Sequence, residues 1–271
     1  MKVPNSAIDT RLDQRLVITA AVGQPHSSMD LNAYARGAAQ ACSNSKMSDA
    51  EPHTGTTIVA CTFNGGVVLG ADGRVSTGNY VSNRASNKIM QLTDSVFLLR
   101  SGSAADTQAV GDYVRYFSEQ LAGELGEDPS VQTIANLVAT VNYNNKNNLV
   151  GALLVAGFDK QKGGQVFGIP IGGTIVQESW AIDGSGSTYI WGYMDSAWKP
   201  NMTREEAEAF VTEALALAMA RDASSGGVIR TVTLDEDGPK LRYVGGNEVP
   251  LFHEELQPPA AAAGAASMVV G

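Results

Sequence analysis

The rhythm of apolar and polar positions changes at Thr57. From Thr57 to Phe63 the chain reads TIVACTF, Asn64-Gly65-Gly66 follows, and Val67 to Asp72 reads VVLGAD. Asn-Gly between two β-rich runs predicts a hairpin. Lys88 to Leu92 and Ser95 to Arg100 predict a second strand pair. The period then lengthens. Val110, Val114, Phe117 and Leu121 recur at helical spacing behind Ser103, which with Asp106 resembles a capping box. Pro129-Ser130 opens a second helix with Val131, Ile134, Val138 and Val141 on one face. Strands are predicted again over 152–158, 165–170 and 174–182. A third helix, capped by Thr203 and Glu206, runs to about Arg221, and a last hairpin pairs 228–234 with 241–244. Strands arrive in adjacent hairpins rather than alternating singly with helices. That order predicts an α+β fold of antiparallel sheets with helices packed outside.

No such period organises residues 1–55. Pro4, Gln24-Pro25, Ser27-Ser28, a Ser/Asn-rich patch at 43–45 and Glu51-Pro52 interrupt it. The segment reads equally as a floppy terminus or as a removable prosegment. The Ala-rich tail, 258–271, is expected to be disordered.

Composition narrows the function. The 271-residue chain carries a net charge of −9, and residues 1–55 hold five basic and five acidic residues, so the whole excess lies after position 55. No broad basic surface is available for phosphate backbones, and no nucleic-acid partner is expected. The apolar run from Leu16 to Val22 is short for a signal peptide, and no stretch is long enough to span a bilayer. Cys42 and Cys61 make neither a disulfide framework nor a metal site, and a reducing compartment fits them; no metal or cofactor is expected.

The histidines are His26, His53 and His253, two of them in the suspect leader. A Ser-His-Asp or Cys-His site would rest on His253 alone, and no Gly-x-Ser-x-Gly elbow is present. Gly184-Ser185-Gly186-Ser187 lacks the remaining signatures of a dinucleotide or phosphate loop. A hydrolase built from this sequence needs a base other than imidazole. A free α-amino group, with a pKa of about 7.7–8.0, is one. A threonine made N-terminal by a cut carries nucleophile and base on one residue. Gly55-Thr56, just ahead of the first strand, offers such a place; taken alone, it reads first as an ordinary Thr-rich strand start.

These residues meet a family. Thr54 to Val59, Gly65 to Asp72 with Arg74, the Lys88 strand, Arg100 to Gln108, Gly184 to Ser187 and Arg221 to Gly227 resemble, in order and spacing, catalytic beta subunits of the proteasome core particle. The resemblance covers roughly residues 54–250. It implies a four-layer αββα sandwich of the N-terminal-nucleophile hydrolases and a domain over 56–250, between a removable propeptide at 1–55 and a tail at 251–271. It implies catalytic roles for Thr56 as nucleophile and base, Lys88 as the cation beside it, Asp72 as the partner of Lys88, the Gly102 N–H as oxyanion donor, and Ser185, Asp222 and Ser225 around the Thr56 amine. Without the resemblance, Asp72 and Lys88 read as a surface pair, Gly102 as a turn glycine, and the last three as helix-end and loop residues.

Arg100 matches the arginine that floors the pocket of the caspase-like, type-1 member, which prefers acidic residues before the cut; read alone it is a strand-end residue in a surface salt bridge. The pocket would also include Val75, Ser86, Met90 and Ala104, with Ser76 pairing to substrate backbone. Gly73, Val75 and Ser76 depart from the family's usual serine, small polar residue and threonine. The resemblance further implies autocatalytic cleavage after Gly55, assembly with other alpha and beta subunits into seven-membered rings, unfolded polypeptide substrates, and a place in cytoplasm and nucleus. Two rivals remain: a structural beta subunit that never exposes its threonine, and another N-terminal-nucleophile amidase.

Overall fold

A computed structural model describes residues 55–251, Asn148 excepted. Residues 1–54, with His26, His53 and Cys42, and residues 252–271, with His253 and the Ala-rich tail, lie outside those residues.

The Asn-Gly hairpin forms as expected, joining β1 (Ile58–Phe63) to β2 (Gly66–Asp72). The last hairpin, β11 (Ile229–Asp235) with β12 (Gly238–Val244), pairs back onto β2, and β10 (Trp180–Asp183) pairs with β1. The result is an antiparallel sheet ordered β10-β1-β2-β11-β12. A second antiparallel sheet runs β5-β6-β7-β8-β9, from β5 (Ile89–Gln91), β6 (Val96–Gly102), β7 (Gly151–Asp159), β8 (Gly163–Ile169) and β9 (Val176–Glu178).

Strand alternation explains the stacking. Ile58 and Ala60 on β1 and Val67, Leu69 and Ala71 on β2 point at Phe97, Leu99, Leu154 and Val166 of the other sheet, so one apolar layer is buried between the sheets. The opposite faces carry Val59, Cys61 and Val68, covered by α4 (Arg204–Arg221), and Leu98, Leu153 and Val155, covered by α1 (Ala104–Leu125) and α2 (Val131–Asn144). Helix, sheet, sheet and helix make four layers, the sandwich that the family resemblance implies.

The helix ends follow their caps. Thr203 and Glu206 form a full capping box on α4, each side chain bonding the other's backbone N–H. At α1 only half of the expected box forms. Ser103 Oγ accepts from Asp106 N at 3.4 Å, but the shorter Asp106 side chain accepts instead from Val150 N. The buried face of α1 is also rotated from the expected one. Thr107, Val110, Gly111, Val114 and Ser118 are buried, while Phe117 and Leu121 are only half-buried, because Gly111 lets Met90 of β5 lie against the helix.

Three features escaped the periodicity. The run expected as one strand over 174–182 is two, β9 and β10, in different sheets; the chain changes layer at Ser179, whose carbonyl accepts from Thr62 N. A 3-10 turn over Ser185–Tyr189 and a short α3 (Trp191–Ala197) follow. A small hairpin, β3 (Val75–Thr77) with β4 (Tyr80–Asn83), stands apart from both sheets, largely exposed.

Cys61 is fully buried on β1, and burial pushes its thiol up to about 12. The folded chain should therefore leave Cys61 unalkylated by iodoacetamide at pH 8, with complete labelling in denaturant. Peptide mapping by mass spectrometry checks this, and rapid labelling of the native protein would contradict the packing.

Candidate active site

The parity of β1 extends backwards one turn of the pleat. Thr56 shares the phase of Ile58 and points toward the second sheet, while Thr57 shares the phase of Val59 and points toward the end of α4. Both threonines are buried. Their backbone is held on two sides: Gly186 N donates to Thr56 O at 3.2 Å, and Asp72 N donates to Thr57 O at 3.2 Å.

In this chain the Gly55–Thr56 peptide bond is intact. Thr56 Oγ1 donates to Gly55 O at 2.7 Å, and Lys88 Nζ donates to the same oxygen at 3.3 Å. Gly55 is pressed against Ser224, where any Cβ would collide with the Ser224 side chain. Glycine is the residue that fits there.

Lys88 precedes β5 and is 5% exposed. Its ammonium pairs with Asp72 Oδ1 at 2.7 Å. Burial pushes the Lys88 ammonium below its ordinary range, and the Asp72 charge and hydrogen bond pull it back up. Asp72, fully buried at the end of β2, accepts three backbone N–H groups as well: Thr57 N at 2.9 Å, Arg74 N at 3.0 Å and Gly226 N at 3.0 Å. The surface-pair reading of Asp72 and Lys88 therefore fails on burial.

The second carboxylate is Asp222, which caps the C-terminus of α4. Ser185 Oγ and Ser225 Oγ both donate to its Oδ2, at 2.7 and 2.6 Å, and Thr56 N donates to Ser185 Oγ at 3.2 Å. Sequence positions 56, 185, 222 and 225 thus meet in one chain of hydrogen bonds.

A pocket opens beside Thr56, lined by Val75, Ser86, Lys88, Arg100, Gly102, Ala104 and Thr107. Gly102 ends β6 with φ 94°, and an added Cβ would sit 2.7 Å from Val150 O, so the position demands glycine. Arg100 reaches Ala104 O at 3.4 Å and Asn87 O at 3.2 Å, while its buried Nε has no partner. No carboxylate among the described residues lies at ion-pair distance from it. Burial lowers the pKa of its guanidinium, partly offset by the charge of Asp112. The surface salt bridge of its plainer reading is thus absent among the described residues.

One expected pocket residue lies elsewhere. Met90 lines the neighbouring polar cleft with Arg100, Asp112 and Arg115, because its side chain fills the space left by Gly111. Ser76, expected to pair with substrate through its backbone rather than to line the pocket, is buried on β3. Two residues went unread in the sequence. Thr107 follows Ser103 by one helical turn and donates to its carbonyl, which a helical wheel from Ser103 would have shown. The Thr57 hydroxyl meets Ser225 Oγ at 2.7 Å, with strand parity as its only signal.

Among the described residues no cluster of His, Cys, Asp and Glu could hold a metal ion, and no helix is long and apolar enough to cross a membrane.

The family model described as proteasome subunit matches residues 52–234. Proteasome subunit beta type-6 of Arabidopsis thaliana is 55% identical over 208 residues, covering 76% of this chain and 89% of its own length. Proteasome subunit beta type-9 of Homo sapiens is 49% identical over 205 residues, 76% of this chain and 93% of its own. Probable proteasome subunit beta type-1 of Schizosaccharomyces pombe (strain 972 / ATCC 24843) is 46% identical over 205 residues, 74% and 91% of the two chains.

Asp72→Asn removes the charge opposite a buried ammonium while keeping the side-chain shape. The variant should lose about 3–5 kcal/mol of stability, as expected for an uncompensated buried charge. Denaturant unfolding of the purified chain checks this; a loss below about 1 kcal/mol would mean that Lys88 reaches water.

Proposed function

The chain belongs to the proteasome subunit family, as a beta subunit, and from that premise we propose that it is a threonine endopeptidase of the core particle. On this reading it is freed by cleavage of its own Gly55–Thr56 bond and prefers an acidic residue before the scissile bond. The observation that carries the proposal is the convergence of the Thr56 hydroxyl, at 2.7 Å, and the Lys88 ammonium, at 3.3 Å, on one carbonyl at that junction.

The first step is intramolecular. Thr56 Oγ attacks the Gly55 carbonyl carbon, its proton passes to the departing nitrogen, and the C–N bond breaks, leaving an ester and a free amine. Water then hydrolyses the ester and releases residues 1–55. The leader is thus a prosegment that keeps the protease silent, and proximity supplies much of the rate.

The mature site works with the amine just released. Thr56 Oγ attacks a substrate carbonyl, and the Thr56 amine takes the proton, directly or through a water, and later gives it to the leaving amine. Lys88, held by Asp72, favours the anionic character of Oγ and disfavours protonation of the neighbouring amine. The Gly102 N–H is the donor to the oxyanion, on a backbone kept close by its left-handed conformation. Ser185, Asp222 and Ser225 orient the amine. Water, again with the amine as base, hydrolyses the acyl ester.

Arg100 supports the acidic preference. A half-buried guanidinium with an unpartnered Nε, and with Asp112 beyond ion-pair distance, favours a ligand that brings a carboxylate closer. Val75, Ser86, Ala104 and Thr107 complete the wall. As a subunit, the chain works with other alpha and beta subunits in stacked heptameric rings, on unfolded polypeptides, in cytoplasm and nucleus.

Thr56→Ala should abolish both junction processing and cleavage after acidic residues. Intact-mass analysis and a fluorogenic peptide assay on assembled particles read both, and full activity in that variant would refute the mechanism. Retention of residues 1–55 in wild-type particles would favour a structural subunit. Arg100→Ala should lower kcat/KM for peptides with Glu or Asp before the cut by about 10²-fold, in line with a loss of about 2–3 kcal/mol for a charge-assisted contact. Peptides with apolar residues there should change little; an equal loss on both would remove the pocket assignment.

A further inference from the structure

Thr57 has two donor groups, and they lead to different carboxylates, one directly and one through Ser225. Its backbone N–H donates to Asp72 Oδ1 at 2.9 Å, and its hydroxyl meets Ser225 Oγ at 2.7 Å. The residue is fully buried. Geometry fixes the direction of the second bond. A serine hydroxyl has one proton, and a carboxylate only accepts. Ser225 gives its proton to Asp222 Oδ2 at 2.6 Å, and Ser185 gives its own to the same oxygen at 2.7 Å. The other contact of Ser185, to Thr56 O, is longer at 3.5 Å. Ser225 Oγ can therefore only accept from Thr57, and Ser185 Oγ can only accept from Thr56 N. All protons run toward Asp222.

We propose that the Thr57 hydroxyl is a positioning residue for the Thr56 amine, an inference that rests on the threonine-protease reading above. Thr57 holds Ser225 against Asp222, and Asp222 holds Ser185 as an obligate acceptor. An amine released at Thr56 must then donate one hydrogen to Ser185, which turns its lone pair away from Ser185. Removing the hydroxyl loosens Ser225 from Asp222. More of the negative charge then acts on the amine through Ser185, raising its proton affinity.

The test uses assembled particles carrying the full-length chain as Thr57→Val, which keeps the shape, and Thr57→Ser, which keeps the hydroxyl. Each is made with Ser225 intact and as Ser225→Ala. kcat and KM are measured per mature chain, counted by intact mass, on a fluorogenic peptide with Glu before the cut. Thr57→Val should lower kcat roughly tenfold with KM within about twofold, and should move the ascending limb of the kcat/KM pH profile to higher pH. Thr57→Ser should stay within about threefold of wild type, and Thr57→Val should add nothing once Ser225 is Ala. If the valine variant does not assemble, Thr57→Ala makes the same comparison. Wild-type kcat and pH profile in Thr57→Val would overturn the proposal. So would a Thr57→Ser loss equal to that of valine, or an additive loss with Ser225→Ala. These outcomes leave the threonine-protease reading standing, whereas wild-type particles that expose Thr56 and cleave nothing overturn both.

Discussion

Everything in the site is hung on the Asp72 carboxylate. It is fully buried, and a buried charge is tolerated only when it is paired and its lone pairs are filled. Asp72 meets both conditions by gathering four donors from four places in the sequence: the start of β1, the turn after β2, the segment before β5 and the loop after α4. Moving any one of those segments would leave an unsatisfied charge in the core. The carboxylate therefore fixes where Thr57 begins its strand, and through Thr57 where Thr56 stands. Lys88 is its reciprocal. Burial pushes that ammonium toward neutrality, and Asp72 is the group that opposes the push.

The second constraint is the pleat. Because successive residues of a strand face opposite ways, two adjacent threonines are delivered to two different environments. Thr56 reaches the groove between the sheets, where Lys88, Arg100 and Gly102 lie. Thr57 reaches the end of α4, where Asp222 and Ser225 lie. A one-residue slip of β1 would exchange them and break both hydrogen-bond systems at once. The ladder of β1 against β2 and β10 holds that register, so the precision of the site is borrowed from two antiparallel pairings.

Much of this was legible in the sequence where the causes are local. Asn64-Gly65 marked the hairpin, Thr203 with Glu206 the cap, and the apolar rhythm of 131–141 the second helix. What stayed hidden depends on distant partners. Nothing in 174–182 says that the chain changes sheet at Ser179, since both halves are extended. The small β3–β4 hairpin is nearly all exposed and has no burial pattern to read. Asp72, Lys88, Ser185, Asp222 and Ser225 were legible as a set only through resemblance to a family, because spacing along a chain does not encode a junction of four separate segments. Met90 was placed in the pocket by that resemblance, and here it turns toward Gly111 of α1 instead. A missing side chain on one element decided the direction of another, which no single-position match can report.

On the proposed mechanism, the intact junction lets such a site be assembled before it is active. The nitrogen of Thr56 is still an amide, whose lone pair is delocalised into the Gly55 carbonyl and cannot take a proton. The nucleophile, the cation and the serine–aspartate relay are already in position around it. On the proposed mechanism the single missing part is the base, and cutting one bond creates it. No rearrangement is required, because the backbone bonds from Gly186 N to Thr56 O and from Asp72 N to Thr57 O lie beyond the cut and survive it. On that mechanism, silence before processing is a matter of bond order at one nitrogen rather than of a displaced loop, and the Thr56 hydroxyl already bonded to Gly55 O is the group that begins it.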